Sequence, residues 1–160
     1  MPDLKPLQNT PPVTVRLACA DDLPEVHRML IALGAQAGER VAITPRILAR
    51  IALDGPATRL LVAHRPDSPQ RHPVGYALML VGRNMVTGTG WGFVEQLYVQ
   101  QPDRGRGIGR ALLAEVRAEA GRMGCEGVTV SSRPVMDGSA LGYRALGLDM
   151  DAAEPRFAAE

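Results

Sequence analysis

The spacing of apolar residues changes several times along the chain, and each change marks an element. In residues 13–18, Val13, Val15 and Leu17 alternate with Thr14 and Arg16, the period of a half-buried strand. Leu23, Val26, Leu30 and Leu33 then recur at intervals of three and four, which predicts a helix. Asp21 and Asp22 are its expected caps, Pro24 lies in its first turn and Gly34 is its expected end. Thr44 before Pro45 repeats the cap-and-proline signature, with Ile47, Leu48 and Ile51 on one predicted face and Gly55 beyond the last turn. Residues 58–64 and 74–82 read as strands joined by the proline-rich stretch 65–73, and a further strand, 91–99, follows the glycine turn at 87–90.

Ile108, Leu112, Val116, Ala120 and Met123 return to helical spacing, and residues 126–132 form another strand pattern. Strand, helix and strand in that order predict a parallel crossover. A weaker helix is expected from Asp137, carrying Leu141, Tyr143 and Leu146 but also Gly138 and Gly142, with a short strand at 156–159. Each of those glycines costs up to ~1 kcal/mol relative to alanine. The order as a whole predicts an α/β chain (an α+β mixed sheet) with helices on both faces.

Composition narrows the function classes. A length of 160 residues fits one domain, expected over residues 13–160, behind a proline-rich disordered or extended segment at 1–12. The 18 basic and 17 acidic residues nearly cancel, so no net field draws the chain to nucleic acid or to a membrane, and a small ligand is expected. Cys19 and Cys125 are far apart and lack any paired spacing, which predicts reduced thiols and a cytoplasmic location. No stretch approaches the ~20 apolar residues of a membrane span. His27, His64 and His72 lack the spacing of a zinc site, so no metal is expected. Ser131 and Ser132 lack a glycine elbow or a paired histidine, which disfavours a serine nucleophile.

The strongest local signal is in residues 100–116. Gly105, Gly107 and Gly109 alternate between a strand and a helix, leaving the backbone bare and the first helical N–H groups free. The helix dipole contributes about half a positive charge there, and Arg104, Arg106 and Arg110 add full charges, which makes a diphosphate cradle. The dinucleotide fingerprint G-x-G-x-x-G fails because Leu112 stands at its last position. The chain also lacks the Gly-Lys-Ser/Thr of nucleoside triphosphate hydrolases.

These residues bring a family into view. Arg104, Gly105, Arg106, Gly107, Ile108 and Gly109 resemble the Q/R-x-x-G-x-G/A motif of GNAT superfamily N-acetyltransferases, and Tyr143 to Leu148 is similar to their later Y-x-x-L-G-F element. The likeness runs from about residue 13 to 150 and is nearest in layout to the spermidine/spermine acetyltransferase-like members. It implies the GNAT acyl-CoA N-acyltransferase fold with splayed fourth and fifth strands. It further implies acetyl-CoA as co-substrate, with its diphosphate on residues Arg104, Gly105, Arg106, Gly107, Ile108, Gly109 and Arg110, and a homodimer. Leu97, Tyr98 and Val99 would flank the donor, the amides of Leu97 and Val99 being offered to the thioester oxygen.

Transfer to an amine requires removal of a proton, because an alkylammonium with a pKa near ~10 is almost fully charged at neutral pH. Glu95 is an acid in an otherwise apolar strand, where desolvation would raise its pKa, and it is the candidate base acting through water. The competing readings are a solvent-facing edge residue and a structural ion pair. Tyr143 matches the family's tyrosine that protonates the departing thiolate, although a tyrosine at helical spacing also suits a core. Two residues depart from the family pattern: Gly142 stands where many relatives have an aromatic residue, and Gln96 where polyamine-acetylating relatives have a second acid.

The resemblance implies that residues 34–44 and 82–91 set acceptor choice, with Trp91 either closing a pocket or packing. The expected reaction is therefore N-acetylation of a small-molecule or protein primary amine by direct attack. A transferase of another acyl-CoA and a non-catalytic CoA-binding module are the alternatives. An RNA-binding reading is disfavoured, because aromatic residues make up 4% of the chain and only one Arg/Gly patch exists.

Overall fold

The computed structural model describes residues 12–68 and 72–130. The expected leader up to residue 11, Ser131, Ser132, the helix from Asp137 with Tyr143, and the strand at 156–159 lie outside the described residues.

Within them, β1 (Thr14–Leu17) leads through a single 3-10 turn into α1 (Leu23–Gln36), followed by α2 (Pro45–Asp54) and three strands, β2 (Thr58–His64), β3 (Gly75–Arg83) and β4 (Gly90–Val99). After a second 3-10 turn come α3 (Ile108–Arg122) and β5 (Cys125–Val130). The strands form one sheet in the order β1-β2-β3-β4-β5, antiparallel through β4 and parallel between β4 and β5. The crossover predicted from residues 91–132 is thus present, and the mixed sheet carries helices on both faces. No described helix is long and apolar enough to cross a membrane.

Strand alternation splits the core in two. Leu61, Ala63, Ala77, Met79 and Val94 point to one face, where Ile108, Leu112, Val116 and Ala120 of α3 cover them. Leu60, Val62, Tyr76 and Tyr98 point to the other, against Val26, Met29 and Leu30 of α1 and Leu48 of α2. Burying each such large side chain contributes about 1.5–3 kcal/mol, so the sheet holds its helices mainly through these two apolar layers.

Three local expectations are corrected. The first helix continues past Gly34 to Gln36, because Gly34 is a packing glycine: a Cβ there would lie 2.6 Å from Val41 Cγ2. Its stop is Gly38, with φ of 69°, where Gly38 N–H donates to Ala35 O at 3.2 Å and Glu39 N–H to Gly34 O at 2.8 Å, a Schellman motif. Asp22 does not cap α1. Its carboxylate accepts from the Cys19 N–H at 2.8 Å and from both Arg16 Nη atoms at 2.7 and 3.0 Å, pinning β1 to the start of α1. In α2 only Leu48 of the three predicted apolar positions is buried, while Ile47 and Ile51 remain exposed, since the helix meets the sheet along a narrow line. Its cap is as expected, with Ile47 N–H donating to Thr44 Oγ1 at 3.3 Å.

Candidate functional site

The site is built at the end of β4, where three features of the backbone coincide. The first is a β-bulge. Leu78 pairs with Gln96 but its neighbour Met79 pairs with Val94, so Glu95 is the extra residue on β4. Val94 lies in the α3 layer, whereas Gln96 accepts from the Tyr76 hydroxyl at 3.1 Å on the opposite face. Burial, reinforced by neighbouring Tyr98, pushes the Tyr76 phenol well above its ordinary pKa and keeps it a proton donor. Glu95 is solvent-exposed. The desolvation expected from its apolar strand is therefore absent, because the bulge lifts this residue out of the ladder.

The second feature is the outward direction of the β4 backbone. Gln100 N–H donates to Val74 O at 2.9 Å, so antiparallel alternation makes Tyr98 and Gln96 the residues bonded to β3. Leu97 and Val99 then direct their N–H and C=O groups away from β3, towards the side where β5 runs. Val94 faces Val130, the last described residue of β5, and β4 continues for five residues to Val99.

The third is the loop between β4 and α3. Gly105 and Gly107 have φ of 75° and 80°, a region that penalises a Cβ, and Gly107 is the N-cap of α3. Nothing lies within 4 Å of where a Cβ of either would stand. The first helical bond runs from Ala111 N–H to Gly107 O at 3.0 Å, and the amides of residues 105–109 make no backbone hydrogen bond among the described residues. Gly105, Arg106 and Gly107 are exposed and Ile108 is buried, anchoring the loop to the α3 layer. The residues present thus fit a diphosphate: several amides and a helix dipole converge on open space.

Neighbouring contacts fix this loop. Arg65 binds the buried Asp103 carboxylate and also Asp67. Gly75 faces Val99, and a Cβ on it would lie 2.9 Å from Tyr98 O, so glycine there lets β3 pack closely on the end of β4. Arg104 does not turn into the cradle. Its Nε donates to Val99 O at 2.8 Å and its guanidinium lies 5.4 Å from the Tyr98 ring centroid, leaving Arg106 and Arg110 as the other loop arginines. On the α1 side, a cleft of about 310 Å³ is lined by Glu25, Arg28, Met29, Tyr98 and Gln100, and Gln100 Nε2 donates to Glu25 Oε1 at 2.8 Å. Glu25 and Gln100 are 75 residues apart, and no periodicity joins them.

An α/β chain with a bare anion-binding loop beside a bulged strand whose Leu97 and Val99 amides turn away from β3 has the architecture of an acyl-carrier-dependent transferase. Residues 35–147 match the acetyltransferase (GNAT) family, and the chain belongs to that family of enzymes, whose members use acetyl-CoA. No curated protein matches the chain. Among solved structures it is similar to an acetyltransferase from Trypanosoma brucei, with a TM-score of 0.70 and 22% identity over 92% of this chain and 100% of that one. It is also similar to a ribosomal-protein-alanine N-acetyltransferase from Brucella melitensis biovar Abortus, with a TM-score of 0.68 and 23% identity over 93% of this chain and 97% of that one. An aminoglycoside acetyltransferase from an uncultured soil metagenomic sample, in complex with sisomicin, gives 0.72 and 16% over 92% and 97%. These likenesses are of fold.

Proposed function

We propose that the chain transfers the acetyl group of acetyl-CoA to a primary amine by direct attack, with no acyl-enzyme. The supporting observation is that the bare 105–109 backbone follows directly on the end of β4, where the Leu97 and Val99 amides turn away from β3. The donor supplies an activated thioester carbonyl. The loop would bind its diphosphate, with Arg106 and Arg110 adding charge, and the Leu97 and Val99 amides would orient its acyl end along β4.

Glu95, exposed at the bulge, would accept the proton of the incoming ammonium through a water molecule. Its reach into solvent suits a relayed transfer better than direct contact. Tyr143, outside the described residues, would return a proton to the thiolate. The homodimer and the cytoplasmic location belong to the same proposal and rest on the family likeness and on the two unpaired cysteines.

The test combines calorimetric titration of acetyl-CoA with release of free CoA across a panel of primary amines. The expected result is saturable donor binding and CoA release that depends on amine. Donor binding without transfer to any amine would instead favour a regulatory CoA-binding module, and faster release from propionyl- or succinyl-CoA would change the donor.

A further inference from the structure

Next to Glu95, on the face of the sheet that carries α1 and α2, the apolar layer is left open. Trp91 and Phe93 occupy alternate positions of β4, and Leu80 lies opposite Phe93 on β3. All three are exposed, at 41%, 39% and 36%, in a chain with few aromatic residues. Across this face one register row runs Thr58, Leu80, Phe93, Thr129, and the next runs Gly82, Trp91, Gly127.

Both rings are laid down on glycine. A Cβ on Gly127 would lie 2.4 Å from Trp91 Cη2, and one on Gly82 would lie 3.1 Å from Phe93 Cε2. The Trp91 indole N–H donates to Thr129 Oγ1 at 2.8 Å, which fixes its orientation over β5. The result is a held aromatic shelf with its apolar surface turned to solvent. A cleft of about 410 Å³ lined by Ile47, Ile51 and Thr58 with Arg50 and Asp54 reaches the same register row through Thr58, which lies opposite Leu80.

Charge is distributed asymmetrically around this shelf. Trp91 and Phe93 fall on one side of β4 by strand alternation, about 7 Å apart, and Glu95, exposed at the bulge, follows two residues beyond Phe93. One end therefore carries a carboxylate at the proposed site of proton transfer, and the body is apolar. On the α2 side Arg50 and Asp54 both line the cleft, so their charges balance there.

We infer that this shelf holds the acceptor, and that the acceptor is a monoamine with a hydrophobic body, aromatic or aliphatic, whose ammonium meets Glu95 while its body covers Phe93 and Trp91. The inference rests on the acetyl-transfer reading for its chemistry but not for its binding. A polyamine or aminoglycoside would set further charged groups against the apolar surface of Trp91, Phe93 and Leu80.

Trp91 is the chain's one tryptophan, so its emission reports on the shelf directly. Emission would be titrated with phenethylamine, hexylamine, methylamine and spermidine without donor, and kcat/KM measured for the same amines with acetyl-CoA. The expected result is a saturable emission change with the first two amines only, and kcat/KM at least about tenfold higher for them than for methylamine. In Phe93→Ser that ratio falls towards one. Emission unmoved by both hydrophobic amines, or spermidine as the best substrate, overturns the inference. So does Trp91 shielded from acrylamide by a second copy or by residues 131–160. Saturable emission changes with no CoA release from any amine would leave the shelf standing and remove acetyl transfer, which separates the two failures.

Discussion

Replacing Gly107 separates backbone strain from anion recognition at the loop. With φ of 80° and nothing within 4 Å of its Cβ position, Gly107→Ala meets no steric clash and suffers only the left-handed penalty, about 1–2 kcal/mol. For a chain of this size that lowers Tm by about 2–8 °C. Gly107→Glu suffers the same strain and adds a carboxylate beside the proposed diphosphate. At about 5–6 Å and an effective dielectric of about 20–40, each unit of like charge costs about 1.5–3 kcal/mol. The two variants should therefore melt together, yet differ about 10- to 100-fold in Kd for acetyl-CoA, with the gap narrowing as salt rises. Calorimetric titration of both variants at two salt concentrations measures this. Equal affinities in the alanine and glutamate variants would show that no phosphate sits on the 105–109 amides.

Glu95→Gln should lower turnover most at neutral pH and progressively less as alkaline buffer deprotonates the amine itself. A mutant-to-wild-type rate ratio that stays constant across pH would remove Glu95 as base. For Asp22, burial pushes the carboxyl up, but bonds from Arg16 and the Cys19 amide outweigh it and hold the pKa below the ordinary value. Its stabilisation is therefore complete above the unfolded pKa near ~3.9 and is lost as pH falls through the lower folded value. Asp22→Asn should cost about 1–2 kcal/mol in urea denaturation at pH ~7, and the gap to wild type should shrink below pH ~4. Gly127→Ala should lift the Trp91 indole off β5 and break its bond to Thr129, changing its emission and costing about 1 kcal/mol. An unchanged emission spectrum would contradict the stacking of that ring on glycine.

Local period and local backbone chemistry were legible in the residues alone. Alternation and helical spacing placed the described strands and helices, and three alternating glycines identified the loop before α3, because a left-handed backbone with open space above it has few other solutions. Where a residue's role depended on a distant partner, the reading failed. Gly34 looks like a helix stop until Val41 is seen against it, and Asp22 looks like a cap until Arg16 claims its carboxylate. The direction of the Leu97 and Val99 amides follows from a bond between Gln100 and Val74, and the exposure of Glu95 from a slip in register against β3. A one-residue slip changes which face every later side chain occupies, and nothing in β4 itself encodes it. The sequence alone determined which segments could be strands, helices and an anion-binding turn, because those follow from spacing and from glycine's missing Cβ. Only the tertiary structure decided that Trp91, Phe93 and Leu80 share an open face with Glu95 exposed just beyond it, because that depends on which strands lie beside β4 and where their glycines fall.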